Sequence, residues 1–467
     1  MSRIGIIGGG PGGLSLARLL TERKIADVVV LERDAQVGGK SLTVTVDGLG
    51  HEVGTCYLTT GYRTVQGWMR EAGMSNYPLK HHVIHTELGE TQDFKAYVLG
   101  KGGPMKAGLQ MARYVADWLV FHEWDIHGCR DDTKGTRGGL MKDEMAQPFG
   151  EWLKERELDV IARFALRTMS IMGYGGLDEV PALYGLRWNV PSIIWSAVTL
   201  QVSEMAPGWQ HLWVHLASKL DVRTDQHIRE VTRADGKYQV RTKDGLLEFD
   251  HLVLTTRLHE ARGWFPFTEE EVAAYSIGNG GMEWREYVTT LVDAEGWFQE
   301  EDTHSFEAAA DGTAALSQSR LLVARRTGDK TRAAAARSRT RRDVYVCYQV
   351  GNPDLKAKEL QDILERDLHE QGARNISVLQ QFRWTYSPQF TPAAIRAGAA
   401  HAMEKQQGTN NLWISGATTS HESIDNITDF NERLVERMVM KLAGRAPSDE
   451  DALAEVAARF RWRISDK

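Results

Sequence analysis

Three periodicities share this chain. Ile4-Gly5-Ile6-Ile7 and Val28-Val29-Val30-Leu31 are unbroken apolar runs, as expected of strands buried on both faces of a parallel sheet. Leu14 to Leu20 between them has helical spacing. Helical spacing returns over 62–72, with Val65, Trp68 and Met69 on one face. It returns again over 109–123, where Leu109, Ala112, Val115, Ala116 and Leu119 form the face expected to be buried. A helical region opens at Phe149-Gly150-Glu151-Trp152-Leu153 and is expected to reach about Met172. Gly208–Leu216, Leu355–His369 and Asp425–Leu442 complete the helices. Strand character marks His82–His85, Ala96–Leu99, Gln226–Val231, Tyr238–Arg241, Phe249–Thr255, Val288–Val292, Val344–Tyr348 and Asn411–Ala417. Lys243-Asp244-Gly245 reads as a hairpin turn. Gly128–Gly139 and Ala308–Arg342 read as loop or weakly ordered chain, and Asp449–Arg463 as a terminal helix.

The glycines between the first strand and helix turn this pattern into chemistry. Gly8-Gly9-Gly10-Pro11-Gly12-Gly13 leads straight into the helix, and the second strand ends in Glu32. Gly8 permits a tight turn, Gly10 lets backbone approach a pyrophosphate, and Gly13 lets helix and strand pack closely. The helix N-terminus offers free N–H groups to phosphate, and a carboxylate at Glu32 can accept from ribose hydroxyls. Strand, glycine turn, helix, strand and acid together predict a dinucleotide-binding unit.

Composition narrows the class. A chain of 467 residues is large enough for two domains. A net charge of −7 disfavours an electrostatic nucleic-acid partner. Cys56, Cys129 and Cys347 lack paired or CxxC spacing, so neither a disulfide framework nor a zinc site is expected. The first strand begins too early for a signal peptide and no apolar run approaches a membrane span, so a cytoplasmic enzyme without a transmembrane segment is expected. His122 and His127 are five apart and would not share a helix face, which argues against a metal. Arg325, Arg326, Lys330, Arg332, Arg337, Arg339, Arg341 and Arg342 make one segment basic, either a site for an anionic substrate or carrier or, the preferred reading, a solvated loop or exposed helix.

Val37-Gly38-Gly39-Lys40 and Gly50-His51-Glu52-Val53-Gly54-Thr55 carry a resemblance to the flavoprotein superfamily of amine oxidases, protoporphyrinogen oxidases and phytoene desaturases. The resemblance implies an α/β fold: a Rossmann-like FAD-binding domain (GR2-type) with an inserted α+β substrate domain and helical cap. It implies a discontinuous FAD-binding domain over 1–75, 205–262 and 380–445, a substrate and cap domain over 76–204 and 263–379, and a tail over 446–467. FAD would be held non-covalently by Gly8, Gly10, Gly13, Glu32, Arg33, Gly39, Lys40, Gly54, Thr55, Ile228, Gly416, Ala417 and Ile424. In this reading Gly39 and Lys40 lie on the phosphate side, Gly54-Thr55 near the flavin, and Ile228 at the adenine.

The cage-building loop of amine oxidases is absent, because Thr418-Thr419-Ser420-His421-Glu422-Ser423-Ile424-Asp425-Asn426 stands there instead. Pro148–Leu153, Gly173-Tyr174-Gly175-Gly176, Val180–Tyr184, Val231–Lys237 and Trp384-Thr385-Tyr386-Ser387-Pro388 resemble the bacterial polyunsaturated fatty acid double-bond isomerases of the linoleate type. This implies hydride transfer from a doubly allylic carbon to flavin N5 and its return at another carbon of an apolar small-molecule or acyl-chain substrate. Tyr174, Tyr184, Trp188, Trp195, Trp384 and Tyr386 are the candidate π faces for the transient cation. Those isomerases anchor the substrate carboxylate with an arginine after the first cap helix, where Lys80-His81-His82 stands here, leaving the substrate's charge open. An oxidase or desaturase of the same fold, releasing hydrogen peroxide, is the alternative.

Overall fold

The computed structural model describes residues 2–79, 82–126, 137–278, 280–296, 303–326 and 342–444. A five-stranded sheet organises the first layer, in the order Leu412–Ile414, His251–Leu254, Ser2–Ile7, Ala26–Leu31, Asp221–Arg223, with every pair parallel. The unbroken apolar runs are its central strands, with Ile4, Ile6, Val29 and Val30 fully buried. Helices cover both faces of such a sheet, which is why these strands show no alternation. Helix Pro11–Arg23 packs against the last helix, Ile424–Leu442, and Leu14, Leu16, Leu20, Leu434 and Val435 share a core with Trp209 and Trp213. Glu230–Ala234, Lys237–Thr242 and Gly245–Phe249 form an antiparallel meander beside it, turning at Asp244 as expected.

A seven-stranded sheet forms the second layer, in the order Arg374–Phe390, Met282–Glu295, Arg342–Val350, Val323–Arg326, Thr303–Phe306, His82–His85, Thr91–Asp93. Its pairs are antiparallel except for Thr303–Phe306 beside His82–His85. Helices Gly103–Ile126, Phe149–Glu155, Asp159–Ala165, Ala182–Trp188 and Pro191–Val198 share one core with Ile84 and Phe390 of this sheet. The parallel sheet, the mixed α/β content and the capping helices agree with the expected Rossmann-like architecture.

Several local expectations are corrected. Ala96–Leu99 belongs to a helix, Phe94–Leu99, because the Asp93 carboxylate accepts from the N–H groups of Lys95 and Ala96 at 2.9 and 3.1 Å and caps it. The helix over 109–123 is present within Gly103–Ile126, but its buried face was misassigned: Leu109 is 66% exposed and Leu119 54%. Gln110, Tyr114 and Phe121 face inward instead. Gln110 accepts from Val160 N–H at 2.8 Å and the Tyr114 hydroxyl donates to Asn189 O at 2.6 Å, so hydrogen bonds set the rotation of this helix. The helical region from Phe149 is broken at Glu157, which has φ +55°, and resumes through a π-helical turn, Leu166–Ser170.

The basic segment is not wholly solvated. Arg325 and Arg326 lie on a buried strand, Arg325 fully buried against Glu204 and Arg326 3.8 Å from Asp343. Helix Gly312–Leu316 adds order to the part expected to be weakly ordered. Lys330, Arg332, Arg337, Arg339 and Arg341 lie outside the described residues, as do His127, Cys129, Lys80, His81, most of the 128–139 loop, the terminal segment 449–463 and the tail over 446–467.

Candidate functional site

Four chain segments meet at the carboxyl end of the parallel sheet through backbone contacts that only small residues allow. Gly8 has φ +114°, and its N–H donates to Leu31 O at 2.9 Å. A Cβ on Gly13 would lie 1.9 Å from Gly8 O, which holds the helix start against the turn. Gly38 N–H donates to Gly9 O at 2.9 Å, so the second glycine pair folds back onto the first. A Cβ on Gly39 would lie 3.1 Å from Gly10 Cα, and one on Gly54 would lie 1.7 Å from Lys40 O. Gly416, with φ +86°, brings the last segment against Gly12, whose Cβ would meet it at 3.0 Å. Ala417 follows in the turn Ala417–Ser420.

Glu32 is 8% exposed and accepts from Gly9 N–H at 2.5 Å and Asp34 N–H at 2.8 Å. Its main-chain oxygen accepts from Gln226 N–H at 2.7 Å, which brings the segment carrying Ile228 beside it. Arg33 points outward and pairs with Asp34 at 3.3 Å. Thr55 N–H donates to Lys40 O at 3.1 Å, and its hydroxyl meets Ser41 Oγ at 2.9 Å. Lys40 reaches away from the glycine turn: its ammonium pairs with Glu422 and lies 5.0 Å from the Tyr386 ring centroid.

Sequence reasoning missed Asn431. Its amide donates to Gly12 O at 2.9 Å and to Ser15 Oγ at 2.8 Å, and its oxygen accepts from the Ser415 hydroxyl. One side chain on the last helix thus fixes the first helix start to the last strand end. Polar residues facing inward from a helix were the available signal. Ile424 is buried at the start of that helix, behind Ser423, which accepts from Asn426 N–H at 3.5 Å.

These features pass a fit test for a dinucleotide. Gly10 and Gly39 pack backbone to backbone, a Cβ on Gly10 meeting Gly39 Cα at 3.7 Å, so neither presents a side chain where a pyrophosphate would approach. The first-turn N–H groups of helix Pro11–Arg23 have no partner within the helix. A buried carboxylate closes the far strand.

Beside this cradle lies a group of aromatic rings. The Tyr174 hydroxyl is 2.8 Å from that of Tyr386, and their rings are 5.2 Å apart. Tyr174 also meets Trp188 at 4.5 Å and His421 at 4.6 Å, while Tyr184 and His421 are 6.1 Å apart. Tyr184 accepts from Phe390 N–H at 2.7 Å. Tyr386 continues to Tyr287 at 5.6 Å, and Tyr287 to Tyr348 at 5.6 Å. Burial pushes the phenols of Tyr174, Tyr287, Tyr348 and Tyr386 well above their ordinary range. Trp195 is 58% exposed, outside the group, and Trp384 donates to Thr289 Oγ1 at 2.9 Å while stacking on Phe382.

His421, Tyr287 and Glu422 were not foreseen as part of this group. His421 is fully buried at φ +94°, and neither ring nitrogen has a hydrogen-bond partner. Burial, then the charge of Arg187, lowers its pKa to about 3, so the ring is neutral. The departure at Thr418–Asn426 was the only hint of it.

A parallel sheet with a glycine cradle at its carboxyl end defines a dinucleotide-binding protein of the doubly wound class. A family model described as flavin containing amine oxidoreductase matches residues 11–274, more than half the chain, and the protein belongs to that family. Membership implies a flavin cofactor and places the chain among flavin-dependent oxidoreductases and isomerases. Polyenoic fatty acid isomerase from Ptilota filicina is 23% identical over 287 residues, 55% of this chain and 57% of that protein. Flavin-containing amine oxidase A from Bos taurus is 31% identical over 93 residues, 19% of this chain and 18% of that one. The alignments therefore span little more than half of the curated relatives, or less. The solved structure of the CLA-producing fatty acid isomerase from P. acnes superposes with a TM-score of 0.77 at 21% identity, covering 93% of this chain and 98% of that one. Wild-type putrescine oxidase gives 0.66 at 16%, covering 94% and 99%. At these identities the likeness shows a shared fold. Among the described residues no helix is long and apolar enough to cross a membrane.

Proposed function

We propose that the protein is an FAD-dependent double-bond isomerase acting on an unsaturated acyl chain or similar polyene. The observation that carries the reading is the ring group beside the cradle: π faces are abundant there, the phenols and the imidazole are held neutral, and the Glu422 carboxylate is taken up by Lys40 and Ser387 N–H. Tyr174 and Tyr386 occupy their hydroxyls with each other, burial keeps both phenols protonated, and His421 is neutral without a hydrogen-bond partner. A bound flavin supplies a hydride acceptor that can also give the hydride back.

The chain's residues then act on the substrate by place and field. Tyr174, Trp188, Tyr184 and Tyr386 exclude water and offer ring faces to positive charge developing on carbon. Lys40, 5.0 Å from the Tyr386 ring centroid, is paired with Glu422, so the two together bring no net charge to that ring. Helix Ile424–Leu442 starts beside the ring group, where the Asn426 amide donates to Arg187 O at 2.8 Å, and its N-terminus favours negative charge nearby. FAD is assigned from the ribose-side carboxylate Glu32 and the dinucleotide-length cradle, with Gly8, Gly10, Gly13, Gly39, Gly54, Thr55, Ile228, Gly416, Ala417 and Ile424 around it. Retention is assigned as non-covalent: burial pushes the Cys56 thiol, next to Thr55, up to about 11, which keeps it protonated and unreactive.

The second reading, an oxidase or desaturase releasing hydrogen peroxide, draws on the amine oxidase relatives. Anaerobic incubation with a skipped diene separates the two. Isomerisation gives conjugated-diene absorbance at constant mass, whereas an oxidase stops without oxygen.

A further inference from the structure

Helix Gly103–Ile126 is apolar on two sides, and the fold covers one of them. Ala107, Met111, Tyr114, Trp118 and Phe121 follow one another at steps of four and three and pack into the core. Met105, Leu109, Ala112, Ala116, Leu119 and Glu123 form a second row with the same steps on the outer side. Met105 is 81% exposed, Leu109 66%, Leu119 54% and the adjoining Val120 52%, and both alanines are exposed. Most of this row is the face expected from the sequence to be buried. A helix apolar on both sides belongs inside a structure, and alternating steps of three and four are those by which helices pack on one another.

The order of residues in the outer row says what covers it. Leu109 and Leu119 stand five residues either side of Tyr114, and Ala112 and Ala116 stand two either side, so the row reads the same from both ends. We propose that this face joins two copies of the chain as an antiparallel, two-fold symmetric helix pair. Leu109 of one copy then lies opposite Leu119 of the other and Ala112 opposite Ala116, the self-complementary contact that a two-fold axis requires. The alanines let the helices close at the axis, and the leucines pack on either side. Charges beside the row are neutralised within one chain: Lys106 by Asp159 at 2.8 Å, Arg113 by Glu157 at 3.7 Å and Asp117 by Arg156 at 3.5 Å. Neutralised flanks suit a contact that sets each group near its own twin, whereas a helix lying on an anionic bilayer presents free lysines and arginines. A third of the surface of a 24-residue helix is roughly 400 Å² per copy, or roughly 800 Å² in all. That is below the range of stable complexes and fits a dimer that dissociates on dilution.

Sedimentation velocity of the flavin-loaded protein between about 1 and about 200 µM tests this, and the mean mass should climb from one chain toward two across the range. Leu109→Glu and Leu119→Glu should each keep the protein monomeric at the highest concentration, with melting temperature and flavin content unchanged. The register is read by cross-linking in a Cys129→Ser background, Cys56 and Cys347 being buried. Leu109→Cys and Leu119→Cys chains, mixed and oxidised, should form disulfide-linked dimers in several-fold greater yield than either variant alone. A wild type that stays monomeric at about 200 µM overturns the proposal. If that monomer binds phosphatidylglycerol vesicles and Leu109→Glu does not, the face belongs to a membrane; if Leu109→Glu lowers its melting temperature, the chain covers the face itself. A dimer that survives both glutamate variants places the interface elsewhere, and cross-linking as strong in one variant alone as in the mixture refutes the antiparallel register; either result overturns the proposal.

Discussion

Glu52 offers a sharp test of the electrostatics beneath the cradle. Its carboxyl is buried between strand Thr43–Val46 and helix Trp209–Ala217, accepting from Thr43 Oγ1 at 2.8 Å and Trp209 N–H at 3.0 Å. Burial pushes its pKa from the ordinary 4.5 up to about 8, outweighing those two hydrogen bonds. Between these values an unfolded chain ionises the group while the folded one keeps the proton. Each pH unit in that window therefore removes about 1.4 kcal/mol of stability. The contribution is fully present below 4.5 and is lost as pH rises through 8, amounting to roughly 3 kcal/mol between about pH 5.5 and 8.5. Glu52→Gln keeps the accepting oxygen and removes the titration. Urea unfolding of wild type and variant across that range should show the variant gaining on the wild type by roughly 3 kcal/mol as pH rises. Infrared spectra should show a protonated-carboxyl band persisting to about pH 8 in the wild type and missing from the variant. A stability difference that stays flat with pH would refute the buried neutral carboxyl and the desolvation argument behind it.

Three further outcomes are expected. Gly13→Ala places a methyl 1.9 Å from Gly8 O and should leave a protein with little or no bound flavin, read from visible absorbance per chain; full loading would contradict the packing argument. Glu32→Ala should speed flavin loss on dialysis by at least about tenfold, since it removes the buried carboxylate from the cradle and frees the Gly9 and Asp34 N–H groups it holds; a fully loaded variant would contradict its ribose role. Tyr386→Leu removes a ring face, the partner of the Tyr174 hydroxyl and the seat of Lys40. Turnover should fall by about tenfold or more with flavin content preserved, and unchanged turnover would remove the ring from the mechanism.

What could be read from sequence follows from where each element's partners lie. Ile4–Ile7 and Val28–Leu31 were legible because strands buried on both faces must be apolar throughout, and the glycines between them because turn and close packing admit little else. Helix Phe94–Leu99 was misread as a strand because its apolar residues fit either period, and the deciding group, the Asp93 cap, stands outside the run. The rotation of helix Gly103–Ile126 was set by Gln110 and Tyr114, whose partners at Val160 and Asn189 are far along the chain. The site divides in the same way. Tyr174, Tyr184, Trp188 and Tyr386 were candidates and meet in space, but Trp195 has the same composition signal and lies on the surface. His421 and Asn431 gave only faint sequence signals, the departure at Thr418–Asn426 and a polar residue on an inward helix face, because what sets them apart is the presence or lack of partners in three dimensions.

The central claim is that hydride leaves and returns within one substrate. Anaerobic incubation of the flavin-loaded protein with skipped-diene acids tests it most directly, following ultraviolet absorbance and product mass together. The account predicts conjugated-diene absorbance growing over many turnovers at constant mass, with no peroxide when air is admitted. A product two mass units lighter, formed only with oxygen and matched by stoichiometric hydrogen peroxide, would contradict it.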